Sequence, residues 1–165
     1  MKNVLFVCTG NTCRSPLAEV VFRDLVKAHP DYQVSSAGVG AYSGQPASRY
    51  SVTLAKERGL DLTKHKSRAV TVDLVESATH IFAMSRNHVA AILSDYPEAD
   101  DKIYLISEFA ADDSLRGRDL SDPFGGDLSE YRETLEHLEK MLPCVLAYIE
   151  QTWKAEAGRG TAQGD

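Results

Sequence analysis

A cysteine and an arginine near the N-terminus have the residue types and spacing of a nucleophile beside an oxyanion site. Cys8 and Arg14 are separated by five residues: Thr9, Gly10, Asn11, Thr12 and Cys13. The guanidinium of an arginine offers a fork of N–H donors that matches two phosphate oxygens. The field that holds such an anion also favours the thiolate form of a nearby cysteine, which is the nucleophilic form. The pair therefore indicates attack by Cys8 on a phosphorus atom that Arg14 holds.

The elements around this segment are those that an anion-binding loop requires. The apolar run Val4 to Val7 predicts a strand before it, while Ser15 and Pro16 suit the N-cap and first position of a helix after it. Free N–H groups at a helix N-terminus collect around an anion, and Gly10 and Asn11 allow the backbone to turn them inward. A lone cysteine at the end of a strand is usually a small apolar residue. Here a strand, a Gly-Asn pair, an N-cap residue and a proline occur together, which favours Cys8 as a nucleophile instead. The Ser15 hydroxyl can donate a hydrogen bond to its sulfur.

Asp122 is the candidate general acid and base. A thiolate that attacks phosphorus needs an acid to protonate the leaving atom and a base to activate water afterwards, and one carboxyl group can do both in turn. Pro123 biases residue 122 to an extended backbone, which helps to aim the side chain. An Asp-Pro pair alone is more often a plain turn, so this assignment depends on the cysteine loop. Both residues lie in the segment Ala110 to Gly126, which shows no periodicity and is predicted to be a long loop.

Short apolar runs alternate with helical patterns along the rest of the chain. The predicted strands are Val4 to Val7, Val34 to Ala37, His80 to Ala83 and Ile103 to Ile106. The predicted helices are Pro16 to Ala28, Pro46 to Arg58, Thr71 to Glu76, Arg86 to Leu93 and Leu128 to Trp153. This alternation predicts an α/β doubly wound parallel sheet with helices on both faces, whose ligands bind beyond the carboxyl ends of the strands. We expect Pro143 to kink or split the last helix.

Composition predicts a single globular domain at residues 1–153, which carries the cysteine loop, followed by a disordered tail from Lys154 to Asp165. The formal net charge of −6 argues against nucleic acid as a partner. The N-terminal segment lacks the features of a signal peptide or a membrane span, and three cysteines form no disulfide framework, so we expect a cytoplasmic monomer. The five histidines form no helical ligand pair, so no metal is expected.

The sequence resembles the low-molecular-weight phosphotyrosine phosphatase family. The resemblance rests on VLFVCTGNTCRSPLAE at the N-terminus and DPFGGD at 122–127, with SSAG, HKSR and the final helix where that family has related segments. It implies a four-stranded parallel sheet, a cysteinyl-phosphate intermediate and no metal or cofactor. It also implies roles for seven residues: Cys8 as nucleophile, Arg14 as phosphate clamp, Asp122 as general acid, and Ser15, Asn11, Ser36 and His65 as a hydrogen-bond network that holds the loop. For His65 the alternative is a plain surface imidazole.

The resemblance also bears on the substrate, a phosphorylated protein. Tyrosine-specific members usually carry a branched aliphatic residue where this chain has Thr12, and two aromatic residues where it has Phe124-Gly125. Both features resemble the protein-arginine phosphatase branch. A threonine oxygen can accept a hydrogen bond from the guanidinium of phosphoarginine, whereas a phenyl ring prefers apolar contact. Tyr42 is a further candidate contact because an aromatic ring can stack on a phenol or a guanidinium.

Three other functions are weighed against this one. A tyrosine phosphatase of the same family is the principal alternative. Arsenate reductases share the loop but pass a disulfide on to further cysteines, and only Cys144 follows Cys13 in this chain. A non-catalytic phosphate-binding module would not need both Cys8 and Asp122.

Overall fold

A four-stranded parallel sheet organises the fold of the computed structural model, which describes the backbone of residues 1–163 and the side chains of residues 1–153. The strands lie in the order β2-β1-β3-β4. Their bounds are β1 Lys2–Cys8, β2 Tyr32–Gly38, β3 His80–Ala83 and β4 Ile103–Leu105. All three pairings are parallel. The predicted parallel sheet is confirmed, with β1 and β2 longer at both ends than their apolar runs.

Within residues 1–163, five α-helices cover the two faces of the sheet. Their bounds are α1 Arg14–Leu25, α2 Arg49–Glu57, α3 Val72–Ser77, α4 Arg86–Asp95 and α5 Leu128–Gln163. Side chains alternate across β1, so Phe6 packs with α1, α2 and α5 on one face, whereas Leu5 packs with α3 and α4 on the other. This two-faced core is the doubly wound architecture that the alternation predicted.

The carboxyl ends of β1 and β3 meet at the centre of the sheet, where the chain turns to opposite faces. The Met84 amide after β3 donates to the Val7 carbonyl of β1 at 3.1 Å. The Leu120 amide then donates to the Met84 carbonyl at 2.8 Å, which attaches the long loop 110–126 to the same edge. Ligands of doubly wound folds bind at such a switch point. The fold therefore brings the segments of Cys8 and Asp122 together.

Helix α1 begins at Arg14, so the predicted N-cap role of Ser15 is wrong. The cap position is Cys13, and no side chain caps this helix end. Ser15 lies inside the first turn, and its hydroxyl instead accepts a hydrogen bond from Asn11 and contacts Cys8. The earlier start leaves first-turn N–H groups free beside the loop.

Helix α5 continues through Pro143, so the predicted split of this helix does not occur. A proline inside a helix costs about 3 kcal/mol because it removes one N–H donor and crowds the preceding turn. Fully buried apolar side chains on both sides of the proline hold the helix against the sheet: Leu135, Leu138, Leu142, Val145 and Ile149. Each contributes about 1.5–3 kcal/mol, so their burial outweighs the proline. The sequence predicts a disordered tail at 154–165, whereas the backbone of α5 is helical as far as Gln163, and residues 164–165 lie outside the described part of the chain.

Strand β2 forms an edge of the sheet whose outer side is covered by two arginines. Arg23 of α1 donates to the Val34 carbonyl at 2.8 Å, and Arg68 Nε donates to the Ser36 carbonyl at 3.1 Å. Both carbonyls therefore have partners without a further strand. In the described part of the chain, no helix combines the length and apolar content that crossing a membrane requires.

Candidate active site

The loop between β1 and α1 forms the wall of a cavity of about 200 Å³. The lining residues come from this loop and from the long loop: Cys8, Thr9, Gly10, Thr12, Cys13, Arg14, Asp122 and Phe124. Cys8 ends β1 at the base of the cavity and is only 2% exposed. Its sulfur lies 2.9 Å from the Ser15 hydroxyl, as the sequence predicted. A hydroxyl that donates to this sulfur stabilises a thiolate.

Asn11 holds the loop from beneath. Its backbone adopts a left-handed conformation with φ of 55°, which asparagine tolerates better than most residues. Its side-chain amide donates to the hydroxyls of Ser15 and Ser36, both at 2.9 Å, and its carbonyl Oδ1 accepts from the Arg68 amide at 3.0 Å. His65 Nε2 lies 2.7 Å from the Asn11 backbone oxygen. The structure thus brings together the four residues of the proposed support network and adds Arg68.

Gly38 sets how closely strand β2 approaches the loop. A Cβ atom at this position would overlap the Thr9 carbonyl oxygen and lie 3.0 Å from the Asn11 amide nitrogen. Two neighbouring amides tie the same strand end to the loop: Val39 donates to the Cys8 carbonyl and Gly40 to the Thr9 carbonyl, both at 2.9 Å. These two hydrogen bonds and the close approach of Gly38 therefore fix the backbone of the loop against the end of β2.

Arg14 and Asp122 meet at the opposite wall. One terminal nitrogen of Arg14 donates to the Leu120 carbonyl at 2.9 Å, and the other lies 3.5 Å from Asp122 Oδ2. The buried Arg14 Nε has no hydrogen-bond partner among the described residues, so an N–H remains for an anion. Asp122 Oδ1 accepts from the Phe124 amide at 3.1 Å, which orients the carboxylate. A carboxyl group and a buried guanidinium group therefore line one cavity with the cysteine.

The mouth of the cavity is formed by Thr12 and Phe124. The ring of Phe124 is 78% exposed, so it stands free to contact the side chain that carries a phosphoryl group. The Thr12 hydroxyl lies 3.7 Å from Cys13 Sγ. A wider groove of about 570 Å³ adjoins the cavity and shares both residues with it.

Cys13 faces the same cavity as Cys8, and both thiols are free. Its sulfur lies 3.3 Å from the phenol oxygen of Tyr131 on α5. Burial, together with this contact, raises the pKa of Tyr131 to about 12, so the phenol stays protonated at neutral pH. Cys144 lies on α5, with its sulfur 3.7 Å from the Lys140 carbonyl, and does not line the cavity.

His88 contacts the loop although the sequence analysis gave it no role there. It lies in the first turn of α4, is 4% exposed, and its Nε2 lies 2.8 Å from the Thr9 hydroxyl. Its Nδ1 lies 3.0 Å from the hydroxyl of Ser85, the N-cap of α4. Burial, reinforced by the nearby Arg14 charge, lowers the pKa of His88 to about 4, so the ring is neutral at pH 7. The available signal was an N-cap serine two positions after a buried strand, with a histidine three positions later.

Tyr42 is the predicted contact that the structure does not bring to the cavity. Its side chain is 81% exposed and is not among the residues that line the space above Cys8. Among the side chains that are described, no group of three His, Cys, Asp or Glu is arranged to hold a metal ion.

Comparison with known proteins places this site in a family. The model of the low molecular weight phosphotyrosine protein phosphatase family matches residues 3–155. A protein-arginine-phosphatase of Geobacillus stearothermophilus is 38% identical, over 84% of this chain and 90% of that protein. The protein-tyrosine-phosphatase Wzb of Salmonella typhi is 31% identical, over 96% of this chain and 98% of its own length. A solved structure of the YwlE arginine phosphatase, in a cysteine-to-serine mutant with a phosphorylated active-site serine, has a TM-score of 0.82 at 34% identity and covers 90% of this chain and 95% of its own.

Proposed function

The chain belongs to the low-molecular-weight phosphotyrosine protein phosphatase family, and we propose that within this family it removes phosphate from arginine side chains of proteins. The observation that carries the arginine assignment is Thr12 at the cavity wall, where its hydroxyl can accept a hydrogen bond from a substrate guanidinium. Relatives named protein-arginine-phosphatase support the same assignment.

The first half of the reaction transfers the phosphoryl group to Cys8. The loop amides and Arg14 hold the phosphoryl oxygens while the Cys8 thiolate attacks phosphorus. As the S–P bond forms, the P–N bond to the guanidine breaks, and the Asp122 carboxyl gives its proton to the leaving nitrogen. The products of this step are a protein with an unphosphorylated arginine side chain and a cysteinyl phosphate on Cys8. The phosphorylated active-site serine of the related arginine phosphatase mutant supports an acceptor at this position.

The second half releases phosphate. Asp122, now ionised, takes a proton from a water molecule that attacks the phosphorus of the cysteinyl phosphate. The S–P bond breaks, inorganic phosphate leaves, and the Ser15 hydroxyl at 2.9 Å stabilises the departing thiolate.

Phosphotyrosine is the second candidate substrate. The exposed Phe124 ring at the cavity mouth offers apolar contact to a phenyl ring, and relatives such as Wzb are named tyrosine phosphatases. We also propose a cytoplasmic location, because a nucleophilic free thiol stays reduced there.

A competition between matched peptides tests the assignment. Peptides that carry phosphoarginine or phosphotyrosine in the same sequence compete for wild-type enzyme, and phosphoarginine should show the higher kcat/KM. Thr12→Ile should lower phosphoarginine kcat/KM by about 30- to 1000-fold, through a lost hydrogen bond and crowding, and should leave phosphotyrosine turnover equal or higher.

Thr12→Val is the control that removes the hydroxyl at nearly constant volume. It should lower phosphoarginine turnover by less than isoleucine does. Equal losses on both substrates would mean that Thr12 only stabilises the loop, and the arginine assignment would then lose its main support.

A further inference from the structure

We propose that His88 is a positioning residue that makes the Thr9 hydroxyl a hydrogen-bond donor to the anion in the catalytic cavity. The proposal rests on the proposed phosphatase function and extends it to a contact between β3–α4 and the cysteine loop. Thr9 follows the nucleophile directly and lines the cavity. Its hydroxyl oxygen is 2.8 Å from His88 Nε2.

The first step concerns which ring nitrogen of His88 carries the hydrogen. The Ser85 hydroxyl accepts the backbone N–H of His88 at 3.4 Å, as an N-cap does, and its own hydrogen then needs an acceptor. His88 Nδ1 lies 3.0 Å away and serves as that acceptor. In a neutral imidazole the hydrogen is then on Nε2. The N-cap of α4 thereby selects the tautomer.

The second step concerns the Thr9 hydroxyl. The Thr9 hydroxyl oxygen accepts a hydrogen bond from His88 Nε2–H through one of its lone pairs. The hydroxyl hydrogen of Thr9 therefore points away from the ring. Its backbone carbonyl is occupied by the Gly40 amide at 2.9 Å, so the main chain of Thr9 is fixed. On the side of the cavity the acceptors are a bound phosphoryl oxygen, the Cys8 sulfur and the Asp122 carboxylate, and the proposal assigns the hydrogen to the phosphoryl oxygen. In the opposite tautomer Thr9 would give its hydrogen to His88 and offer the anion only a lone pair.

The third step concerns the charges around the ring. Burial and the positive charge of Arg14 lower the pKa of His88, whereas the negative charges of Asp122 and Asp119 raise it. Burial is the largest effect, so the imidazole is neutral at pH 7. A protonated ring would donate from both nitrogens and break the hydrogen bond from Ser85. A chain of two hydrogen bonds, which we call the relay, therefore runs from the Ser85 hydroxyl through the neutral His88 ring to the Thr9 hydroxyl.

Two substitutions at His88 separate the relay from packing. The side-chain amide nitrogen of glutamine reaches the place of Nε2, whereas asparagine reaches only that of Nδ1. His88→Gln should therefore retain the donor to Thr9, and His88→Asn should lose it. Thr9→Val removes the hydroxyl at constant shape, and Thr9→Ser keeps it.

Binding of inorganic phosphate to each full-length variant, measured by titration calorimetry, reports the contact without turnover. We expect Thr9→Val and His88→Asn each to weaken phosphate binding by about tenfold, the equivalent of one hydrogen bond to a charged group. The double variant should be no weaker than either single one, and His88→Gln should recover most of the affinity. Two results would overturn the proposal. One is a double variant whose loss of phosphate affinity is the product of the two single losses, and the other is a His88→Gln variant that binds phosphate as weakly as His88→Asn.

His80 provides a matched control. It is also buried and hydrogen-bonded through Nδ1 to a threonine hydroxyl, but it lies at the opposite end of β3 from the cavity. His80→Asn should lower the melting temperature while phosphate affinity stays unchanged. If it weakens phosphate binding as much as His88→Asn, the effect is general destabilisation and the relay is refuted. Phosphate binding with no turnover of an aryl phosphate by the wild-type enzyme would instead refute the phosphatase function alone.

Discussion

Replacement of Gly38 by alanine should damage catalysis through the loop without touching any reacting group. The added Cβ would overlap the Thr9 carbonyl oxygen and lie 2.8 Å from the Cβ of Ala41 and 3.0 Å from the Asn11 amide nitrogen. Two of these neighbours are backbone atoms of the anion-binding loop, which cannot rotate away as a flexible side chain can. The loop must therefore shift by several tenths of an ångström.

The structure sets the size of the effect. Overpacking of this kind costs about 1–3 kcal/mol of stability, and each kcal/mol lowers the melting temperature of a domain of this size by about 2–4 °C. Misalignment of one N–H donor to the phosphoryl group removes a hydrogen bond to a charged acceptor, worth about 1.5–3 kcal/mol. We therefore expect kcat/KM on a phosphopeptide to fall by about ten- to a hundredfold at a temperature where the variant is folded.

Gly40→Ala is the comparison for this prediction. Its Cβ would lie 3.8 Å from Thr9 Cγ2 and 3.9 Å from the Thr9 carbonyl oxygen, which are ordinary contacts. Steady-state kinetics and thermal unfolding of the two variants should differ sharply. If Gly38→Ala and Gly40→Ala have the same kcat/KM within twofold, close approach of β2 does not set the loop geometry and the reasoning fails.

Three further predictions concern single side chains. Asp122→Ala should slow a phosphopeptide by about 10²- to 10⁴-fold, the usual loss for a general acid, and an activated aryl phosphate far less; equal losses would remove Asp122 from the acid role. Peroxide should inactivate the enzyme by joining Cys8 to Cys13, and thiols should restore it; Cys13→Ser should recover less activity, and full recovery would argue against a protective bridge. Burial lowers the pKa of His80 to about 4 from a value near 6.5 in the unfolded chain. The neutral His80 ring therefore makes its full contribution to the free energy of unfolding above pH 6.5. This contribution should fall as the pH drops toward 4, by at most about 3 kcal/mol. A His80→Asn variant with the same loss of melting temperature between pH 7 and pH 4 as the wild type would contradict this.

The local part of the site was predictable from the sequence because its signals lie within one short segment. The strand before Cys8, the flexible Gly10-Asn11 pair and the helix after the loop are set by neighbouring residues. The start of that helix was misplaced by sequence reasoning because the Ser15 hydroxyl is engaged by Asn11 and Cys8, neither of which a capping pattern takes into account.

The remaining parts depend on contacts between distant segments. His88 meets Thr9 only because β3 lies beside β1, and their separation of 79 residues leaves no periodic trace in the sequence. At Pro143, contacts with distant segments override a local signal. Its local cost predicts a break, but packing of α5 against the sheet, which involves residues far away in the chain, decides that the helix continues.

The two arginines on the outer side of β2 have a consequence for the behaviour of the protein at high concentration. An edge strand with free backbone groups is a template on which another chain can pair and start an aggregate. Here a second molecule would first have to displace the guanidinium groups of Arg23 and Arg68 from the Val34 and Ser36 carbonyls. Two hydrogen bonds that already satisfy this edge would thereby be lost. Growth of the sheet by addition of strands along this edge is therefore unfavourable.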